Sequence, residues 1–152
     1  MRALRAARPP SLAPRPLAVD PTATAGLVGT LLLYLSPSAL LPTAVAIGYG
    51  EAFWPYLAAG AIAAGVGYGL SRLGSRSAPI GVREGYLVVA VTWLLVAFYG
   101  AIPYLLSGED QIDRPVDALF ESMSGFTTTG SSVLTDVESL DNSLLLWRAL
   151  TQ

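Results

Sequence analysis

The chain has 152 residues, of which 53% are hydrophobic and only 13% are charged, whereas about 25% of the residues of a soluble domain are charged. This composition predicts an integral membrane protein. There is no cysteine and no histidine, which excludes disulfides, thiol chemistry and the most common metal ligand and general base. We therefore expect no enzyme. The formal net charge is −2, and no nucleic-acid partner is expected.

The amino terminus, residues 1–20, is rich in arginine and proline, which predicts a disordered basic arm. A cleavable signal peptide is the alternative, but the apolar segment that follows is longer than the roughly 7–15 residues of a signal core. This segment begins a run of 30 uncharged residues, enough for a spanning helix from about residue 24 to 47. Pro37 and Pro42 should kink that helix or loosen its outer end.

A second uncharged run covers residues 52–71, just long enough to cross a bilayer, and completes a pair of amino-terminal membrane helices over residues 21–73. Gly65 and Gly69 form a GxxxG pair, which is typical of close helix packing but also of a plain small-residue surface. Residues 66–69 read VGYG, as in the filter of tetrameric potassium channels. Because arginines follow directly behind them, we interpret these four residues as a helix-packing surface.

The positive-inside rule predicts that residues 74–84 form a cytoplasmic loop and that the basic amino terminus is also cytoplasmic. In and beside this loop, three arginines stand against one glutamate: Arg72, Arg76 and Arg83 against Glu84. The third uncharged run, residues 85–108, then passes outward, and Pro103 marks a bend near its end.

Acidic residues surround the next apolar stretch on both sides and are predicted to lie outside the cell. They are Glu109, Asp110, Asp113 and Asp117 before it, and Asp136, Glu138 and Asp141 after it. A solvated loop explains this acidity. A pore mouth that concentrates cations is compatible with the same residues.

Residues 117–134, DALFESMSGFTTTGSSVL, are too polar to span a membrane and too apolar for an ordinary loop. The first half predicts a short pore helix at about residues 116–125, with Asp117 complementing the positive end of the helix dipole. The second half holds three threonines, a glycine and two serines, which disfavour a helix and favour an extended strand. Non-helical backbone at membrane depth persists only inside protein or against a water-filled cavity. The pattern therefore predicts a re-entrant pore loop.

FESMSGFTTTGSSVL, residues 120–134, resembles the first pore loop of the TrkH family, within the Trk/Ktr/HKT superfamily of potassium transporters. Residues 82–108 and 143–152 are similar to the flanks of that loop. The resemblance implies an all-α integral membrane fold of four membrane-loop-membrane repeats, a pseudo-tetramer around one pore, preceded by two extra helices. This chain would hold about three transmembrane helices, a re-entrant pore helix with its filter loop, and the start of a further helix.

Residues 85–152 would then be the first repeat, truncated in its second membrane helix, so we expect a fragment that cannot conduct as a monomer. The resemblance implies a multi-pass protein of the cell membrane that takes up potassium and has no covalent cofactor. The implied partners are the lipid bilayer, the remaining repeats, a second copy in a homodimer and a TrkA-type nucleotide-binding cytosolic subunit. A non-conducting, multi-spanning interaction module is the alternative function.

The predicted potassium site consists of backbone carbonyls in the loop after the pore helix, because neutral carbonyl dipoles can replace the water of a cation and still release it. Its residues are Thr127, Thr128, Thr129, Gly130 and Ser131, with Thr128 and Thr129 foremost. Gly130 is predicted to adopt a conformation that a Cβ disfavours. Glu121 has two possible roles, pairing with a neighbouring repeat or facing the outer vestibule. Arg148 is an isolated charge without an assigned role.

Overall fold

The computed structural model describes residues 21–74, 81–112 and 114–152, and within these ranges all regular structure is helical. The arm predicted at residues 1–20 and residues 75–80 of the predicted cytoplasmic loop lie outside them.

The first helical segment consists of α1 (Pro21–Leu35), a 3-10 turn (Ser36–Ala39) and α2 (Leu40–Tyr49). The turn contains Pro37, whose ring cannot continue the α-helical hydrogen bonding, so the predicted irregularity lies here. By length and composition, two segments of the described residues are apolar enough to cross a membrane: Pro21–Tyr49 and Val82–Leu106.

Helix α3 (Trp54–Leu73) has 20 residues and packs mainly against α1. It is rich in alanine and glycine and is therefore less apolar than those two segments. The contact depends on small residues: a Cβ on Gly67 would lie 2.8 Å from the carbonyl oxygen of Gly29. Gly67 belongs to the VGYG tetrapeptide, which lies inside α3 as interpreted. Gly65 and Gly69 face open space instead, so the GxxxG pair does not form this contact.

Helix α4 (Val82–Leu106) continues through Pro103 and ends three residues later. It packs against α5 (Pro115–Phe126), which has 12 residues and is too short to span a bilayer. The predicted pore helix differs from α5 by one residue at each end. Helix α6 (Asn142–Thr151) follows the return loop, residues 127–141, and contacts α2, α4 and α5.

Trp147 of α6 is buried at the centre of the core. The centroid of its ring lies 5.3 Å from that of Tyr99 on α4 and 6.1 Å from that of Tyr56 on α3. Its Nε1 donates to the carbonyl oxygen of Gly100 at 3.0 Å. These contacts hold α6 against α3 and α4.

Helix α5 approaches α4 closely at Gly100. Ser122 Oγ donates to the carbonyl oxygen of Ala97 at 2.7 Å, and a Cβ on Gly100 would collide with Ser122 and Phe126. The absence of a side chain at residue 100 therefore sets the depth at which α5 lies against α4.

Candidate functional site

The amides that follow α5 fold back onto its last turn. Three hydrogen bonds do this: Thr127 N to Met123 O at 3.0 Å, Thr128 N to Gly125 O at 2.8 Å and Thr129 N to Ser124 O at 3.0 Å. They satisfy carbonyls that a helix end leaves without partners. In a trans peptide unit the N–H and the C=O point in opposite directions. The carbonyls of Phe126, Thr127 and Thr128 therefore point away from the helix.

The sign of φ alternates along residues 127–130. Thr127 has a φ of −83°, Thr128 of +55° and Gly130 of +73°, and Thr129 between them is negative. The prediction of an extended strand over these residues is therefore wrong. A strand turns successive carbonyls to opposite sides, whereas this alternation allows neighbouring carbonyls to face the same side. Gly130 has the left-handed conformation that was expected of it.

Thr128 is the only non-glycine residue with a positive φ in the described parts of the chain. A β-branched residue in this region is an outlier that the surrounding structure must hold in place. The amide of Thr128 is bound to the end of α5 through Gly125 O. The hydroxyls of its two neighbours also hold it in place: Thr127 Oγ1 donates to Met123 O at 2.7 Å and lies 2.9 Å from Thr129 Oγ1. Sequence reasoning missed this strain because threonine gives no signal for it.

The carbonyls of Thr127, Thr128, Thr129 and Gly130 accept no hydrogen bond from any described residue, and these four residues are exposed. Ser131 differs, because its carbonyl oxygen accepts a hydrogen bond from Ser124 Oγ at 2.5 Å. Of the five residues predicted to bind potassium, four thus have carbonyls without a partner among the described residues. The fifth fixes the end of the loop to the pore helix.

Behind the loop lies Glu121 of α5, whose side chain is completely buried. Its Oε1 accepts hydrogen bonds from the hydroxyl of Ser132 and from the amide of Val133, the latter at 2.6 Å. Its Oε2 lies 3.5 Å from Nε of Arg148 on α6. Neither atom makes a hydrogen bond within the part of the chain that the structure describes, so their attraction is electrostatic.

This ion pair corrects both roles that the sequence left open for Glu121, which neither faces an outer vestibule nor depends on a neighbouring repeat for its partner. Glu121 and Arg148 are the only charged residues in residues 118–135 and 142–152, respectively. Two isolated opposite charges in otherwise uncharged segments were the signal that could have paired them, because a buried charge needs a partner.

Gln111, which precedes α5, holds the segment that follows the loop. Its Oε1 accepts from the amides of Thr135 and Asp136 at 3.1 and 3.0 Å. Its Nε2 donates to the carbonyl oxygen of Asp136 at 2.8 Å and to Ser139 Oγ at 3.0 Å. One amide side chain thus joins the segment before α5 to the segment after the loop. No sequence pattern marked this residue.

The acidic segments lie beside these loops. Burial, together with repulsion from Asp141 and Asp110, raises the pKa of Glu109, which indicates a negative potential on this surface. In the part of the chain that the structure describes, no group of three or more acidic side chains could hold a metal ion. The acidity therefore remains compatible with a solvated loop and with a pore mouth.

These features define an all-helical integral membrane protein in which a short re-entrant helix and its return loop lie between longer helices. Residues 57–152 match the family model TrkH, described as cation transport protein, and the chain belongs to this family. The resemblance and the helical fold expected from the sequence are confirmed. A family of transport proteins also agrees with the prediction that the chain is not an enzyme.

Individual relatives are also TrkH proteins. The chain is 32% identical over 129 residues to the Trk system potassium uptake protein TrkH of Halomonas elongata, covering 83% of this chain and 26% of that protein. It is 31% identical over 131 residues to TrkH of Escherichia coli K12, with the same shares covered. The crystal structure of the potassium transporter TrkH from Vibrio parahaemolyticus aligns with a TM-score of 0.79 at 26% identity, covering 88% of this chain and 29% of that one. The chain thus spans about a quarter of the length of these relatives.

Proposed function

We propose that this chain supplies one segment of the ion-selective part of the pore in a potassium uptake protein. The observation that carries the proposal is the row of exposed residues from Thr127 to Gly130, whose carbonyls accept no hydrogen bond from any described residue, at the carboxyl end of α5. Such carbonyls can replace the hydration shell of a cation. The partial negative charge at the end of α5 favours a cation at the same place. Potassium is the ion because the relatives carry the name potassium uptake protein.

The remaining carbonyl ligands come from other repeats of the complete transporter, since one loop can form only one side of a ring. Thr128 and Thr129 bear the central carbonyls of this segment. Ser131 supports the site through its bond to Ser124 and coordinates the ion more weakly than the other four. A non-conducting interaction module is less favoured, because it provides no reason for the strained backbone of Thr128.

The proposed orientation in the cell membrane has a cytoplasmic amino terminus and a pore loop that enters from outside. Arg72 in the last turn of α3 lies with its guanidinium 5.0 Å from the ring centre of Tyr68, a pairing suited to a membrane interface. A membrane-impermeant thiol reagent on intact cells should label Ser139→Cys but not Ser75→Cys, and the reverse would contradict this orientation. A homodimer and a TrkA-type cytosolic subunit complete the proposed system.

The experiment is Gly130→Ser in the complete transporter, expressed in cells that lack other potassium uptake. A side chain in the left-handed conformation costs about 1–3 kcal/mol, which corresponds to about a fivefold to hundredfold loss of potassium-over-sodium selectivity at 1.4 kcal/mol per decade. Gly108→Ser is the matched control, because Gly108 has a φ of +75° and equally open surroundings but lies outside the loop. Unchanged selectivity and growth at low potassium for Gly130→Ser, at equal membrane abundance, would refute the proposal.

A further inference from the structure

Helix α6 is capped from a distant part of the chain. The adjacent residue, Asp141, makes no side-chain hydrogen bond to the first amides of α6. Glu51 does so instead: its Oε1 accepts from the amide of Asn142 at 2.9 Å and its Oε2 accepts from the amide of Ser143 at 2.8 Å. Asn142 Nδ2 also donates to Oε1 at 3.0 Å. A carboxylate at this position satisfies free amides and complements the positive end of the helix dipole.

Glu51 is itself held in place in the turn between α2 and α3. The left-handed Gly50 ends α2, and the amide of Glu51 donates to the carbonyl oxygen of Ala46 at 2.8 Å. A second contact follows five residues later, where Tyr56 Oη donates to Ser143 Oγ at 2.9 Å. The outer end of the amino-terminal helix pair thus binds the start of α6 through two side chains.

Arg148, whose ion pair supports the loop of residues 127–131, lies further along the same helix α6. Arg148 lies six residues after Asn142, about 9 Å along the helix axis. It pairs with Glu121. Glu121 in turn accepts hydrogen bonds from Ser132 and Val133, which follow Ser131 at the end of the loop. A shift at the start of α6 therefore changes the position of Arg148 relative to Glu121. The positions of Ser132 and Val133, which Glu121 binds, change with it.

We propose that Glu51 is a positioning residue for the ion-selective loop, acting through α6, Arg148 and Glu121. This inference rests on the proposed function of the loop. It gives the two amino-terminal helices a role in ion selection, through a direct link between their outer turn and the helix that follows the loop.

The test uses Glu51→Ala and Glu51→Gln in the complete transporter, with potassium-over-sodium selectivity and membrane abundance measured together. Glu51→Ala removes all three hydrogen bonds, and we expect selectivity to fall about fivefold, equivalent to about 1 kcal/mol at 1.4 kcal/mol per tenfold. Glu51→Gln keeps one carbonyl acceptor and should show a smaller fall in the same direction. Glu138→Ala is the control, because Glu138 is an exposed carboxylate of the same surface and should leave selectivity unchanged.

Gly130→Ser is measured in parallel to separate the two proposals. If Gly130→Ser loses selectivity while both Glu51 variants keep the wild-type ratio, the role of Glu51 is overturned and the filter proposal stands. Reduced abundance of the Glu51 variants with an unchanged ratio per transporter would also overturn it, because that result describes a purely structural cap. If Gly130→Ser keeps its selectivity as well, both proposals fail.

Discussion

Substitution of Glu121 by alanine should destabilise the region around α5 more than removal of the exposed charge of Arg114, which directly precedes the same helix. Glu121→Ala leaves the amide of Val133 without its acceptor, which costs about 1 kcal/mol, the low end for a buried group, because Val133 is 37% exposed. It also leaves Arg148 without its counter-charge, and breaking a buried pair costs about 3–5 kcal/mol. The side chain of Arg148 is 18% exposed, so water recovers part of this loss. We therefore expect about 3 kcal/mol in all.

The assay is the melting temperature of the purified complete transporter in detergent, compared among three variants. Arg114→Ala breaks the other ion pair of the pore helix, in which the side chain of Arg114 is 76% exposed, and should cost at most about 1 kcal/mol. Glu121→Gln combined with Arg148→Gln removes both charges and should recover part of the stability lost in Glu121→Ala. If Glu121→Ala melts no lower than Arg114→Ala, the buried pair does not support the loop and the reasoning is refuted.

Two further predictions concern close packing and pH. Gly100→Ala should lower the melting temperature because its Cβ would collide with Ser122. Gly65→Ala adds a Cβ in open space within α3 and should not lower it, because alanine favours a helix more than glycine does. Equal melting temperatures for the two variants would contradict the packing of α5 on α4. Burial raises the pKa of Glu51, but the hydrogen bonds from Ser143 and Asn142 outweigh it and hold that pKa below the ordinary value of 4.5. The stabilisation by Glu51 is then complete above pH 4.5 and is lost as the pH falls through the lowered pKa, so the melting temperatures of wild type and Glu51→Gln should converge in acid; a constant difference from pH 7 to pH 3 would contradict the cap.

The helices could be predicted from the sequence because each apolar run is long, uncharged and bounded by turn residues. The pore helix was placed to within one residue at each end, since an uncharged run too short to span leaves few alternatives. Gly130 was singled out correctly because glycine marks positions where the backbone turns left-handed. These features depend on local sequence, where composition and spacing carry the information.

Apart from the pairing of the isolated charges Glu121 and Arg148, the support of the loop could not be predicted, because it depends on residues that are distant in the chain. Glu51 and Asn142 are 91 residues apart, and nothing in either segment indicates the other. Thr128 adopts a left-handed conformation against its own preference, so only the surrounding hydrogen bonds explain it. The sequence therefore shows polar residues such as Glu51 and Gln111, but it does not show which residues they bind.

The central claim is that the carbonyls from Thr127 to Gly130 bind a dehydrated potassium ion. The most direct measurement is a crystal structure of the complete transporter soaked with rubidium or thallium in place of potassium, with the ion located by its anomalous scattering. A peak on the pore axis in direct contact with these carbonyls is the predicted result. A peak elsewhere in the pore, with the carbonyls of Thr128 and Thr129 turned into the protein, would contradict the account.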